Sequence, residues 1–393
     1  MGSLFSYAFR PFFLLLGLFA IVAMVIWLMA LQGFGPAVLP VDVIAWHSHE
    51  MAVGIGLAAV AGFLLTAVST WTGRPPVSGL HLMALVLAWL SGRVAMGFGG
   101  VLPVSIVFAV DMLFPILLFI YVAREVIGGG NHRNYPLVYL TAFLMLLNLL
   151  FHTPALGLVP LAVDIDRVAL YLLVHMLLLM VSIIGGRIIP AFTGNWLRSQ
   201  GSSHLPVSYA WLDGVAILAT IVTGVFASLL PLSPITGVAA LVAAIAHAAR
   251  LSRWCGLATR REPLLFVLHV AYAWLPVGYL FTAEAVIGWQ PVTVALHALT
   301  VGGVSFMILA VMTRVALGHT GRPLHAARLT VIAYWLMLAS ALARVLSALG
   351  SDYLFKVSIA GGLWIAAFAL FIWVYAPILL GPRAESETGS QPQ

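Results

Sequence analysis

The stretch Trp46-His-Ser-His-Glu50 stands at the head of a long apolar run. Ionisable side chains inside a bilayer span are costly, so His47, His49 and Glu50 at the start of one indicate a functional site. A Trp suits the membrane–water boundary. Successive residues of a regular helix turn by about 100°, which puts His47 and Glu50 on one face and His49 on the other. We therefore expect the two histidines to serve two different centres on opposite sides of one helix.

The composition of the chain excludes a soluble protein. Of 393 residues, 63% are hydrophobic and 8% charged, and the mean hydropathy is +1.10, which is typical of a polytopic membrane protein. The net charge of +6 then concerns membrane topology and not nucleic acid, for which we predict no binding. With Cys255 as the single cysteine, a metal site has to be built from His, Met and carboxylates.

Apolar runs of about 20 residues are long enough to cross a bilayer. Twelve are present, which predicts an all-α fold in a single transmembrane domain over residues 1–381, with a disordered polar tail over 382–393. The runs are Phe12–Leu31, Ile44–Thr70, Leu80–Phe98, Val101–Val126, Leu137–Phe151, Val168–Ile189, Tyr209–Leu230, Ile235–Leu251, Leu264–Ile287, Val292–Leu317, Leu329–Leu349 and Leu354–Leu380.

The basic residues predict the orientation of these spans. If both termini are cytoplasmic, every Lys and Arg of the chain falls on the cytoplasmic side except Arg93, Arg167, Arg344 and Lys356. Such an excess is the mark of the cytoplasmic face. His47, His49 and Glu50 then lie at the outer end of span 2.

An internal repeat relates the first and last thirds of the chain. His49 precedes Thr72-Gly-Arg-Pro75 by the same number of residues as His297 precedes Thr320-Gly-Arg-Pro323. Arg93 and Arg344 fall near the outer ends of spans 3 and 11. A weaker third copy places His175 in the outer half of span 6. We therefore predict three pseudo-symmetric four-helix units over about 1–133, 134–261 and 262–381, with spans 2, 6 and 10 equivalent.

Imidazoles from these equivalent spans suit haem iron and copper, since no thiolate competes. We expect His49 and His297 to hold a haem, His175 and His47 with Glu50 to form a copper site, and Arg93 and Arg344 to pair with haem propionates. Asp111, in the middle of span 4, is a candidate proton-relay group. The alternatives are histidines bonded to backbone carbonyls, arginines that reach the interface, and an Asp111 that caps a helix or hydrates a small cavity. His81, His132, His204, His247 and His325 are expected at loops or boundaries.

Motifs along nearly the whole chain resemble the NnrS family. They include Arg10-Pro-Phe-Phe13, Trp46-His-Ser-His-Glu-Met51, Gly185-Gly-Arg-Ile-Ile-Pro190, His297-Ala-Leu-Thr300 and Gly318-His-Thr-Gly-Arg322. The resemblance implies a bacterial inner-membrane protein that contains haem and copper and protects against nitrosative stress in the nitric oxide response. It does not define the reaction, the haem type or the electron donor.

A second likeness is architectural. Twelve spans with outer-half histidines on spans 2, 6 and 10 resemble the core subunit of haem–copper oxidases and nitric oxide reductases, which implies low-spin haem ligation by His49 and His297 and a copper role for His175. Span 7 has no His-His pair and position 299 is Leu, which leaves a complete binuclear centre in doubt. We expect a haem-binding, copper-binding membrane protein that binds or converts nitric oxide. The alternatives are a non-redox transporter of a metal or small solute and a membrane sensor or structural subunit.

Overall fold

A computed structural model describes residues 3–40, 42–130, 132–160 and 164–384. Twelve helices in these ranges are long and apolar enough to cross a bilayer, and no strand occurs there. The prediction of an all-α, multi-pass membrane protein is confirmed. Most of the polar tail, residues 385–393, lies outside the described residues. The spanning helices are α1 (Phe9–Leu31), α2 (Val43–Ser69), α3 (Gly79–Gly97), α4 (Val104–Gly128), α5 (Tyr135–His152), α6 (Ile165–Ser199), α7 (Ala210–Leu229), α8 (Pro234–Ser252), α9 (Pro263–Val286), α10 (Val292–His319), α11 (Arg328–Leu346) and α12 (Tyr353–Leu380).

The two Thr-Gly-Arg-Pro turns have the same backbone conformation at their glycine. Gly73 follows α2 with φ +68° and Gly321 follows α10 with φ +73°. A left-handed residue after a helix is usually Gly, because a Cβ is disfavoured there. The repeated sequence therefore ends two helices in the same way.

Helices adjacent in sequence pack side by side, and α12 packs against α1. Within this arrangement α6 contacts both α2 and α10. The three helices that the sequence repeat relates thus meet inside the bundle. We call the end at which the even-numbered helices begin the outer end, following the predicted topology.

Each of these three helices is interrupted by a π-helical segment. The segments are Glu50–Gly56 in α2, Val181–Gly185 in α6 and Ala298–Ser305 in α10. Those of α2 and α10 begin directly after the repeat-related histidines, His49 and His297. Segments with i→i+5 hydrogen bonds are rare, and those that occur are often at functional sites. Their repetition therefore indicates a functional site near these segments of α2, α6 and α10.

Candidate functional site

Six polar side chains from four helices form a buried cluster in the outer half of the bundle, which we call the polar cluster. His49, Glu50, Asp111 and Asn148 are 0% exposed. The polar cluster consists of His49 and Glu50 of α2, Arg93 of α3, Asp111 of α4, and Asn148 and His152 of α5.

Asp111 is the residue that joins these helices. Its Oδ1 accepts a hydrogen bond from Nη2 of Arg93, and its Oδ2 accepts from Nδ2 of Asn148 at 2.7 Å. His152 Nε2 lies 3.0 Å from the same Oδ2. Since α5 supplies two of the six residues, the cluster extends beyond residues 1–133, the first unit expected from the repeat.

Glu50 completes the ion-pair network on the α2 side. Arg93 Nη1 donates to Glu50 Oε1 at 2.6 Å, so one guanidinium forms ion pairs with both Glu50 and Asp111. His49 Nδ1 lies 2.9 Å from the same Glu50 oxygen, and its Nε2 lies 2.9 Å from Oδ1 of Asn148. Both imidazole nitrogens of His49 are therefore engaged within the protein.

Two glycines make room for the charged groups of the polar cluster. A Cβ on Gly54 would lie 3.1 Å from Arg93 Nη1, and a Cβ on Gly92 would lie 3.1 Å from Asp111 Oδ1. Both distances are shorter than ordinary van der Waals contact. The absence of a side chain at these positions lets the guanidinium and the carboxylate approach the helix backbones.

The expectation that Glu50 shares a site with His47 is wrong. Glu50 contacts His49 and Arg93, whereas the His47 ring stacks on Trp27 with centroids 4.2 Å apart. The expectation assumed a regular α-helix, but α2 becomes π-helical at Glu50, which changes the rotation between residues. His47 and His49 thus have different neighbours, and the prediction that they serve two different centres stays a prediction.

His47 instead belongs to a second group at the outer end, which we call the outer pair: His47 of α2 and His297 of α10. The two imidazoles lie close enough to each other and to Arg344 of α11 for their charges to interact. Nδ1 of His297 lies 2.7 Å from the carbonyl oxygen of Thr293. If that nitrogen carries the proton, Nε2 of His297 is a free acceptor, and no hydrogen bond reaches it from the described part of the chain. Nδ1 of His47 is buried without a partner.

His175 lies apart from both groups. Its Nδ1 is 2.8 Å from the carbonyl oxygen of Tyr171, and its Nε2 is buried without a partner. Its ring packs against α7, where a Cβ on Gly224 would lie 2.8 Å from that of His175. Within the described residues, no hydrogen bond or ring contact joins His49, His175 and His297 to one another.

The two arginines expected to bind propionates differ in their surroundings. Arg93 is buried and bonded to two carboxylates. Arg344 donates from Nη1 to the Ser347 hydroxyl and from Nη2 to the Tyr353 hydroxyl, beside the outer pair. Of the two arginines, only Arg344 has no carboxylate partner within the described residues, so an added anion could form an ion pair with it.

Neither Asn148 nor His152 is predicted from the sequence to take part in a site. A signal for both was present, because they lie four residues apart in an apolar span and so share one helix face. That face points at Asp111, the candidate proton-relay group.

An apolar cavity lies where α2, α6 and α10 meet. Its volume is about 90 Å³, and its walls include Gly56, Val60, Leu177, Val304 and Met307. A second cavity of about 280 Å³, lined partly by Arg314 and His319, lies toward the inner end. The two share Phe63, Ile188 and Val311 in their walls, so small apolar molecules have space in the middle of the bundle.

A separate buried network connects α6, α7, α8 and α9. Arg250 Nε donates to Asp213 at 2.8 Å and its Nη1 to the Tyr272 hydroxyl at 2.6 Å, and that hydroxyl lies 2.8 Å from His247 Nδ1. The expectation of a boundary position for His247 is wrong. It is 0% exposed because α8 continues to Ser252 and turns this face toward α9.

A bundle of twelve apolar helices around buried ion pairs and unpartnered imidazoles defines a multi-pass membrane protein with a polar centre inside its spanning part. The NnrS family, described as "NnrS protein", matches residues 3–383 of the chain. The chain therefore belongs to the NnrS family, and the resemblance seen in the sequence is confirmed. Membership suggests a role in the nitric oxide response. No curated protein matches the chain.

Proposed function

We propose that this protein binds haem, together with copper, in the outer half of its bundle in the bacterial inner membrane, with both termini cytoplasmic, and binds or converts nitric oxide there. In doing so it protects the cell against nitrosative stress. The observation that carries the proposal is the outer pair. Nδ1 of His47 is buried without a partner, and His47 and His297, from helices α2 and α10 of the repeat, lie near enough to Arg344 for their charges to interact.

The hydrogen bonding of the outer pair supports the proposal of a haem. Metal-bound histidines usually donate their other ring N–H to a carbonyl or carboxylate, which fixes the tautomer. The short contact of His297 Nδ1 with the Thr293 carbonyl is of this kind. His47 and His297 would hold the iron, and Arg344 would bind an anionic side group of the macrocycle. A bound haem would supply a redox-active iron, to which nitric oxide would bind in place of one of the two imidazoles.

The haem ligands proposed here differ in part from those predicted from the sequence. His49 lies inside the polar cluster beside Glu50 and Asn148, whereas His47 lies near His297, so we propose His47 in its place. Arg93 is engaged by two carboxylates, so Arg344 alone is proposed for a propionate. For copper, His175 offers one buried, unpartnered nitrogen, and copper binding remains a prediction from the family.

The protein itself would supply access and a dry environment. Nitric oxide is small and apolar, and a cavity of about 90 Å³ lies among α2, α6 and α10, which exceeds the roughly 30 Å³ that a water occupies in the liquid. The walls of this cavity are almost entirely apolar. The gas would therefore reach the protein interior from the bilayer without crossing a charged surface.

The haem and metal content of the purified, detergent-solubilised protein tests the proposal. We expect a Soret band in the protein from haem-replete cells, and its loss in His47→Ala and His297→Ala. His325→Ala, at an exposed position, is the matched control and should keep the band. A colourless wild-type protein, or a Soret band that survives in both outer-pair variants, would refute this ligand assignment.

A second candidate function is a non-redox transporter of a metal or small solute. The observation that favours it is the interruption of α2, α6 and α10 by π-helical segments near two cavities that share wall residues, since transporters often place their sites at interrupted helices. Proton-dependent uptake by proteoliposomes that contain haem-free protein would support this function. Absence of uptake, together with a haem-loaded protein, would favour the first.

A further inference from the structure

We infer that the polar cluster is a binding site for a divalent first-row transition ion, with His49 Nε2, His152 Nε2 and Asp111 Oδ2 as ligands. These three atoms lie within 4.8 Å of one another. The inference is separate from the proposed haem site, because neither member of the outer pair takes part in it.

The distances from the carboxylate to the two imidazoles already match those between ligands around one ion. Asp111 Oδ2 lies 3.3 Å from His49 Nε2 and 3.0 Å from His152 Nε2. Nitrogen and oxygen ligands bind zinc at about 2.0–2.2 Å, and two such ligands around one ion are roughly 3.0–3.5 Å apart. An ion there would replace the hydrogen bonds of Asp111 Oδ2 and the hydrogen bond between His49 Nε2 and Asn148.

The groups around these ligands are those that orient ligands in known metal sites. Glu50 Oε1 lies 2.9 Å from His49 Nδ1, which is the carboxylate–histidine arrangement that directs the other ring nitrogen to a metal. Arg93 holds Asp111 through Oδ1 and leaves Oδ2 directed at the two imidazoles. Asn148 Oδ1, 2.9 Å from His49 Nε2, is available as a fourth, oxygen ligand.

The charge of the cluster also favours a cation. Glu50 and Asp111 carry two negative charges against the single positive charge of Arg93, and all three are buried. The cluster therefore requires one further positive charge, because an uncompensated buried charge is strongly unfavourable, and a proton on an imidazole or a bound cation supplies it. Two imidazoles with a carboxylate and no thiolate suit zinc or ferrous iron among divalent ions.

The metal content of tag-free, full-length protein from zinc-supplemented cells tests the inference. Because the cluster is buried, the ion has to enter during biosynthesis, so the protein is analysed as isolated. We expect one zinc per chain in the wild type. His152→Gln and Asp111→Asn each remove a ligand, and we expect the zinc content per chain to fall at least about tenfold in each, because even an outer-shell change costs roughly 10–100-fold in affinity.

Two further variants locate the metal. His247→Gln changes a buried histidine of the Arg250 network and should keep its zinc. The His47→Ala/His297→Ala double variant should keep it too, even where haem is lost, which separates this inference from the proposed function. X-ray absorption of the wild-type zinc should show imidazole and oxygen ligands without sulfur. Because this measurement uses the wild type, it tests the ligand set even if a variant fails to fold.

Absence of stoichiometric zinc from the wild type, or zinc unchanged in both His152→Gln and Asp111→Asn, would overturn the inference. Zinc lost only from the double variant would overturn it as well, because the metal would then belong to the outer pair.

Discussion

At the scale of single residues, charge compensation dominates the outer half of the bundle. Burial of a lone ion in an apolar medium costs several kcal/mol, and a pair is tolerated only where its remaining hydrogen bonds are satisfied. Asp111 meets that condition, because both of its oxygens accept hydrogen bonds. Arg93 is shared by two carboxylates, but its buried Nε and Oε2 of Glu50 have no partner within the described residues. The polar cluster is therefore also a structural centre of the fold.

Removal of Arg93 should consequently destabilise the protein strongly. Arg93→Ala leaves Glu50 and Asp111 buried without their cation, and we expect a loss of about 3–5 kcal/mol in the free energy of unfolding. Thermal or denaturant unfolding in detergent measures it. The matched control is Arg74→Ala, since Arg74 is 35% exposed in its pair with Glu125, and surface pairs contribute about 0–1 kcal/mol. Equal losses in the two variants would contradict this account of the cluster.

The sequence identified most residues of the polar cluster but not their partners. His49, Glu50, Arg93 and Asp111 were each noticed because a charged or ligating group in an apolar span is costly. Which of them meet depends on the rotation of each helix about its axis, and periodicity does not determine that rotation at a π-helical segment. Asn148 is uncharged and carried no such signal by itself.

At the scale of helices, the repeat is visible in conformation as well as in sequence. The π-helical segments of α2 and α10 follow equivalent histidines, and both helices end at a left-handed glycine. The constant spacing predicted the equivalence of these helices. It did not predict the π-helical segments, because their hydrogen-bond pattern depends on how α2, α6 and α10 pack together.

Gly302, in the π-helical segment of α10, packs closely against α9. A Cβ on Gly302 would lie 2.3 Å from the Trp274 ring of α9. We expect Gly302→Ala to lower the free energy of unfolding by about 1–3 kcal/mol, the usual cost of overpacking. Gly362→Ala in α12 is the control, because nothing lies within 4 Å of its Cβ, and it should be neutral or stabilising by up to about 1 kcal/mol. Similar effects of the two changes would argue against this packing.

At the scale of the whole molecule, the apolar runs of the sequence predicted the number of spanning helices, because each run of bilayer length forms one helix. The orientation in the membrane remains a prediction from the arginines. It places the loop between α8 and α9 in the cytoplasm and the loop between α9 and α10 outside.

The native cysteine provides a test of that orientation. Cys255 lies between α8 and α9, so a membrane-impermeant maleimide should label it in inverted vesicles and not in intact spheroplasts. In Cys255→Ala/Trp289→Cys the pattern should reverse, because Trp289 is 73% exposed in the next loop. Labelling of Cys255 from outside would show that the chain is inserted the other way round.

The labelling of Cys255 should also depend on pH. Burial raises the pKa of its thiol above the usual value, so the neutral thiol dominates at neutral pH. Since the thiolate is the nucleophile, the rate should rise about tenfold per pH unit from pH 7 to pH 9, as expected below the pKa of a thiol. A rate that levels off near pH 7 would contradict a raised pKa.

The central claim is that imidazoles from repeat-related helices hold a metal that reacts with nitric oxide inside the membrane. The most direct test is the absorption spectrum of the reduced, purified protein before and after addition of nitric oxide. We predict a shift of the Soret band in the wild type and in His325→Ala, and no haem signal to shift in His297→Ala. A wild-type spectrum with a Soret band that nitric oxide leaves unchanged would contradict the claim.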